Sequence, residues 1–382
     1  MDIERPGSKL IKKLFVLFAL VGLIISLAGS TPAYNDEKAS QPGEKIERSL
    51  PVDAQATVTL CVASGTLNVR GWEKSEVRIR SLGAGQVEFR RIDKIKDPSK
   101  PATRVDVMVM QRAGTANKTL DCQAFADVEM EVPAGATVQV QTRDGDIRIS
   151  GVAAAYAGSQ NGDITIERAT KMVEAGSVGG SIVLRDSSGR VNLSSAGGGV
   201  EAVNIRAATA EDSFEVGTVS GDIQLDRVSN PKVIAKTVNG TVTMTGPLAK
   251  SGWYGFTNMT GDLVLALPHD ASFQLNARVS EKHSIISDFK LTYTNEPTLP
   301  PTPATTPKPP GAKDKLPVKD KPSAKDKPAA KGGPGPVINP IPIERSTVIV
   351  PYVPRRVTAI CGSGDATISV ASFGGTVRLK KI

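Results

Sequence analysis

The sequence predicts an all-β protein: a β-solenoid (parallel β-helix-like) repeat domain, with an amino-terminal β layer before it and a disordered Pro/Lys-rich linker ahead of the last strands. Three observations carry that prediction. A short phrase recurs around a glycine, as VQVQTRDGDIRI, AYAGSQNGDITI, VEAGSVGGSIVL, FEVGTVSGDIQL and VIAKTVNGTVTM, with further copies at VNLSSAGGGVEA and YGFTNMTGDLVL. Two aliphatic residues one place apart follow nearly every glycine. The composition, 36 glycines and only 4% aromatic residues among 382, suits many short strands joined by turns.

In chain order, Lys9, Lys12 and Lys13 precede an apolar run over 14–28 and a small-residue exit, Gly29-Ser30-Thr31-Pro32-Ala33. This is the pattern of a signal peptide, or of a membrane anchor if it stays uncleaved, over residues 1–33. Either outcome puts the remainder outside the cytoplasm, in the cell envelope or secreted. Membrane contact is then expected only through residues 14–28 of an uncleaved leader. Residues 34–48 are polar and expected to be flexible.

An adhesin-like β domain is expected over 49–291. Its first part, 49–136, reads as an amino-terminal β layer of strands such as ATVTLCV, EVRIRSL and RVDVMVMQ, with Gly65-Thr66-Leu67-Asn68-Val69 as a weak early copy of the repeat. The second part, 137–291, holds the repeats. The anchoring glycines Gly145, Gly162, Gly180, Gly198, Gly221, Gly240 and Gly261 are 17, 18, 18, 23, 19 and 21 residues apart. Asp-Gly and Asn-Gly also suit hairpins, so a meander is the rival fold. A meander has no need for the same inward positions in every copy, whereas a coil whose turns bury one another's apolar faces does. Each glycine is expected to supply a positive φ at a corner. The aliphatic pairs Ile147/Ile149, Ile164/Ile166, Ile182/Leu184, Ile223/Leu225, Val242/Met244 and Leu263/Leu265 are expected to pile into a core.

Residues 292–342 hold 14 of the 26 prolines and eight lysines against four acids, so they are expected to form a linker that buries nothing. The phrase returns within 343–382 around Gly364 and Gly375. That return predicts strands that complete or cap the β domain. Net charge is +8, of which the leader carries +2 and the linker +4, leaving 8 − 2 − 4 = +2 for the folded parts. No nucleic-acid partner follows from so small a balance.

At this point the chain resembles the bacterial DUF4097 adhesin-like family, related to the head-domain adhesins. The resemblance rests on the serial (S/N/D)-G-D-I-x-I phrases and on Val69-Arg70-Gly71-Trp72-Glu73 followed by EVRIRS. It rests also on VPAGATVQVQTRDGDI, on LPHDASFQLNARVS with Ile286-Ser287-Asp288-Phe289 after it, and on the closing GSGDATISVASFGGTVRL. It covers most of 50–291 and 343–382. It implies an all-β, solenoid-like envelope domain with no established enzymatic activity, and offers no catalytic residue to carry over. The long linker and a missing glycine near Glu281-Lys282 depart from the pattern.

The recurring acids Asp146, Asp163, Asp222, Asp262 and Asp365 are the first candidates for chemistry. Calcium repeats use a nonapeptide that is absent here, and Ser181, Val200 and Thr241 interrupt the row, so turn formation explains these acids. Two histidines make no zinc cluster, no serine stands in a nucleophile elbow, and Gly197-Gly198-Gly199 opens no helix for a phosphate. No catalytic, metal or cofactor residue is therefore expected. Trp253, Tyr254 and Phe256, the densest aromatic cluster, form the candidate ligand surface if exposed and a plug if buried. Of three cysteines, Cys61 and Cys122 are the candidate disulfide, with Cys361 left over. The expected partner is an envelope polysaccharide or another surface protein. The alternative class is a polysaccharide-binding module or polysaccharide-acting enzyme.

Overall fold

The computed structural model describes residues 45–84, 86–93, 97, 99–110, 122, 124–280, 284–294 and 355–382. The predicted leader, the segment to residue 44, the copy near Glu281-Lys282 and residues 295–354 lie outside them. All described regular structure is β.

The chain opens with β1 (Lys45–Ser64), β2 (Leu67–Trp72), β3 (Glu76–Leu82), β4 (Gln86–Arg91), β5 (Ala102–Met110) and β6 (Asp127–Pro133). The repeats follow as β7 (Thr137–Asp144), β8 (Ile147–Ser150), β9 (Ala154–Ser159), β10 (Ile164–Glu167), β11 (Met172–Ser177), β12 (Ile182–Arg185), β13 (Arg190–Ser195) and β14 (Val200–Ile205). They continue as β15 (Ser213–Ser220), β16 (Ile223–Val228), β17 (Lys232–Asn239), β18 (Val242–Thr245), β19 (Trp253–Thr260) and β20 (Leu263–Leu267). Last come β21 (Phe273–Val279), β22 (Ile285–Ser287), β23 (Thr292–Tyr293), β24 (Arg355–Cys361), β25 (Ala366–Ser372) and β26 (Val377–Lys381).

From β7 to β20 the odd strands stack in parallel as one sheet, here sheet I, and the even strands as another, sheet II. Each rung of the coil is thus two strands with a corner between them. The parallel register excludes the meander. It also explains the short step from Gly180 to Gly189: Gly189 turns the opposite corner, and Val191 and Leu193 belong to sheet I rather than to an irregular extra copy.

Alternation along each short strand sends every second side chain between the sheets. In sheet II, Ile147, Ile164, Ile182, Val200, Ile223, Val242 and Leu263 are register partners down the stack, and all are buried. Small residues face them from the middle of sheet I, at Ala155, Ala157 and Ala175. Phe214, Tyr254 and Phe256 fill the later rungs. The amino-terminal strands join this body directly. β1 pairs with β7 and β2 with β8, so they make the rung beneath the first repeat. Antiparallel β4, on the outer side of β5, ends sheet I at that pole, while β3 pairs with β6 and β1 at the same pole of sheet II.

The corner glycines require a correction. Only Gly261 of the seven anchors has φ in the left-handed region, at 106°. The others are needed because of their neighbours: a Cβ on Gly162 would run into the carbonyl of Gly145, one on Gly180 into Gly162, and one on Gly198 into Gly180. The same contact continues through Gly221, Gly240 and Gly261, begins at Gly65 beneath Gly145, and ends at Gly375 above Gly261. Close approach of backbones, not an unusual dihedral, selects glycine here.

The carboxy terminus enters the stack rather than only covering its end. β25 lies between β19 and β21, and β26 lies between β20 and β22, all parallel. Antiparallel β24 then covers β21, and β23 pairs with β24. Thr292 and Tyr293, predicted as the start of the linker, are thus the edge strand at this pole. Sheet I thus ends on antiparallel strands, and sheet II ends at this pole on the three-residue parallel strand β22, which leaves little open parallel edge.

Candidate functional site

The recurring polar residues have well-defined tasks. From Gly162 to Gly240 the hydroxyl three places before each glycine is buried and bridges two rungs. The Gly162 N–H donates to Ser159 Oγ (2.8 Å), and that hydroxyl donates to the Gly145 carbonyl (3.2 Å). Ser177 repeats both bonds with Gly180 and Gly162, and Ser195 with Gly198 and Gly180. Thr218 and Thr237 donate to the Gly198 and Gly221 carbonyls at 3.0 and 3.1 Å. The acid after the glycine caps the next rung. Asp146 accepts from the Asp163 N–H (3.1 Å), Asp163 from Ser181 (2.7 Å), Asp222 from Thr241 (2.7 Å) and Asp262 from Thr376 (2.9 Å). These carboxylates satisfy backbone donors that would otherwise be bare at a corner. Asp365 stands apart from that ladder, its own N–H donating to Ser272 Oγ at 3.2 Å.

Arginines on the outer face of sheet II mostly pair with neighbouring acids: Arg148 with Asp146 (3.6 Å), Arg168 with Glu167 (3.3 Å) and Arg185 with Glu201 (2.9 Å). Toward the amino-terminal pole a depression of about 470 Å³ is lined by Asn68, Arg70, Arg80, Glu129, Glu131, Arg148 and Glu167, among others. Burial raises the Glu131 pKa, but hydrogen bonds and charge from Arg78 and Arg70 more than offset it, leaving the carboxyl below the ordinary glutamate value. An acid held ionised in this way is poorly suited to protonate a leaving group. Among the described residues no group of three His, Cys, Asp or Glu side chains is placed to hold a metal ion.

The three candidate aromatics part company, because β19 alternates. Trp253 points outward and is 40% exposed, whereas Tyr254 (0%) and Phe256 (1%) face the core. The Tyr254 hydroxyl accepts the Ala249 N–H at 2.6 Å, and burial pushes its pKa up. A buried Tyr needs such a partner, so Tyr254 and Phe256 are core residues and leave the candidate surface. Trp253 remains on the outer face of sheet I with its ring folded over Gly255, where a Cβ would meet the ring carbons. Its register neighbours are Lys232 on β17 and Thr367 on β25. Ile234, Lys236, Thr257 and Ser369 complete the surroundings on the same face. Among the described residues neither lysine makes an ion pair. The arrangement is an aromatic plate between cationic and hydroxyl groups, which suits the apolar face and polar rim of a sugar ring.

Glu174 also lies on this face, half-buried, and burial pushes its carboxyl above the ordinary value. Glu215 is two rungs along the same row, with Asn192 between. That is roughly 9.6 Å at the usual strand spacing. Both acids stand on one sheet face, whereas glycosidase acids face each other across the scissile bond.

One surface feature carries no strand or helix periodicity in the sequence. The residue two places before the anchoring glycine points outward at the corner, and from the third copy onward it is apolar. Val178, Val219 (50% exposed), Val238, Met259 (52%) and Phe373 form an exposed ladder up one edge of the coil, with Ala196 among them. The signal was present at a fixed offset from each glycine, but alternation within strands does not report corner positions.

Cys61 and Cys122 are joined in a disulfide, their Cα atoms 4.9 Å apart. Cys361 is a buried free thiol whose pKa burial raises, with Sγ 3.5 Å from the Ala271 carbonyl. It has the setting of a small core residue, not of a nucleophile.

Among known proteins, the family described as Toastrack DUF4097 matches residues 39–294. No curated protein matches. The solved structures include a candidate cell adhesion protein from Clostridium sporogenes, 10% identical, covering 90% of this chain and 100% of its own, with a TM-score of 0.23. They include a candidate adhesin from Parabacteroides merdae, 11% identical over 59% of this chain and 90% of its own, with a TM-score of 0.36. Another from Parabacteroides distasonis is 12% identical over 59% and 91%, with a TM-score of 0.26.

Proposed function

We propose, from the premise that this chain belongs to the Toastrack DUF4097 family, that it is a non-catalytic, adhesin-like protein working outside the cytoplasm. Its coil is a stiff support that presents a long polar surface. The observation that carries this is the use of the recurring chemistry. The hydroxyls before the glycines and the acids after them bind backbone groups of adjacent rungs, so the regular feature of the sequence is a stacking device. The Cys61–Cys122 disulfide supports an oxidising compartment.

An array of envelope polysaccharides, read for both binding and release of reducing ends, tests the proposal. The adhesin-like function predicts no release from any polysaccharide. Release that disappears in Glu174→Gln would overturn it and favour the enzyme.

A second reading has its own observation: the exposed Trp253 ring beside Lys232 favours a module that binds polysaccharide on sheet I, with acidic sugars preferred. On the same array, specific binding lost in Trp253→Ala would establish it, and binding indifferent to that change would exclude this face.

A further inference from the structure

The most unusual feature of the molecule is that an interior rung comes from a remote part of the chain. β25 is hydrogen-bonded on one side to β19, in register from Trp253↔Thr367 to Asn258↔Ser372, and on the other to β21. β26 is likewise held between β20 and β22. The inserted rung carries the glycine and acid stacking devices of the repeats, while its hydroxyl bonds within the rung. Gly375 sits on the Gly261 carbonyl, the Thr376 N–H donates to Asp262 Oδ1 (2.9 Å), and Ser372 Oγ donates to the Gly375 carbonyl (3.2 Å). Ile368 and Val377 are fully buried.

We propose that this rung is a strand-acceptor slot, and that its partner is the 355–382 unit of a second copy of the chain, exchanged reciprocally between two bodies. Without that unit β19 and β20 end the stack on an open edge, and β21, β22 and β23, whose strand pairings all run to β24, β25 and β26, have none left. Only a parallel strand pair bearing the repeat phrase fits between them, and a second copy carries the identical pair. An exchange of equivalent units closes on itself as a two-fold dimer.

The connection supports exchange. The Thr294 N–H donates to the Thr358 carbonyl (3.0 Å), so the chain leaves β23 and returns to β24 at neighbouring places. Antiparallel neighbours need only a loop of roughly two to five residues. Residues 295–354 supply 354 − 295 + 1 = 60. Such a length can span up to about 200 Å when extended, several times a stack of nine glycine rungs at ~4.8 Å each. Length beyond need makes closure on its own body less favourable and makes a neighbouring body reachable. A tethered unit still competes at an effective concentration of the order of a millimolar. Dilute chains therefore keep their own rung, and exchange accompanies folding where chains are crowded. This inference stands on topology and holds whatever the outer face binds.

Asn258 and Ser372 are register partners buried to 0% and 1% exposure, so cysteines placed there meet only when the rung is inserted. The full-length N258C and S372C variants, each also carrying Cys361→Ser, would be co-refolded at chain concentrations up to about 1 mM and oxidised. The expected result is a disulfide-linked heterodimer that increases with concentration and is absent when the two proteins are mixed already folded. No heterodimer, while the double variant N258C/S372C closes its bond within one chain, would overturn the proposal. Light scattering on the unsubstituted chain after the same refolding is an independent readout. A dimer that grows with concentration is expected, and monomer at every concentration would overturn the proposal even if the variants fail to fold.

Discussion

Replacing Gly180 with alanine isolates the physical reason for the repeat. The new Cβ would lie against the Gly162 carbonyl and 2.9 Å from the Asp163 backbone nitrogen, where ordinary contact begins near 3.4 Å. Every atom it meets is backbone, so no side chain can swing away. Relief requires the corner to open, which strains the Gly180 N–H bond to Ser177 Oγ and the Ile164 N–H bond to the Ser181 carbonyl, both 2.9 Å. Overpacking costs about 1–3 kcal/mol, and weakening one or two hydrogen bonds adds about 1 kcal/mol each, so a loss of about 3–4 kcal/mol is expected. Gly176 is the internal control. It lies on the outer face of sheet I, where a Cβ would come no nearer than 3.6 Å, to Ser194 Oγ. Alanine there should be neutral or stabilise by about 0.5–1 kcal/mol, because glycine in a strand interior carries an entropy cost. Urea unfolding midpoints at constant slope measure both. Two variants within 1 kcal/mol of each other would refute the stacking account.

Four further outcomes follow from the same geometry. Phe256→Ala should cost about 3–5 kcal/mol as a core cavity, while Trp253→Ala on the neighbouring outward position should leave thermal stability within about 1 kcal/mol. Cys61→Ser should lower stability by about 4 kcal/mol, since the bond closes a loop with a sequence separation of 61; denaturation under non-reducing conditions checks it. The Glu131 pKa is depressed in the fold, so its ion pairs stabilise above the ordinary glutamate value of 4.5 and are lost as pH falls below it. The gap between wild type and Glu131→Gln should therefore be largest near pH 7 and close on acidification. For Glu174 the sign reverses. Its folded pKa is raised, ionisation opposes folding above that pKa, and Glu174→Gln should stabilise by about 0.5 kcal/mol at pH 7 with no gain at pH 3.

Much of the fold was legible because its signals are local. Alternation located the strands, and the near-regular spacing of Ile147, Ile164 and Ile182, 17 and 18 residues apart, predicted a stack with one buried face. The reason for the glycines was not legible. Positive φ and close approach both select glycine, and only the positions of Gly145, Gly162 and Gly180 in space separate them. The place of the carboxy terminus was equally hidden. The phrase around Gly375 showed that it belongs to the coil, but sequence order does not say that β25 sits between β19 and β21. At the candidate site, period-two alternation alone assigns Trp253 outward and Tyr254 and Phe256 inward. Treating the three as one cluster overlooked that parity. The apolar ladder at Val219, Val238 and Met259 lies at corners, where neither strand nor helix periodicity applies.

The recurring acid belongs to the stack rather than to a binding or catalytic centre. Amide hydrogen exchange on Asp163→Ala tests it most directly, because the Asp163 carboxylate accepts the Ser181 N–H at 2.7 Å. With the acid serving the stack, the expected result is faster exchange at Ser181, a loss of stability of about 1 kcal/mol or more, and an unchanged polysaccharide-array profile. Unchanged exchange at Ser181 together with a changed array profile would contradict it.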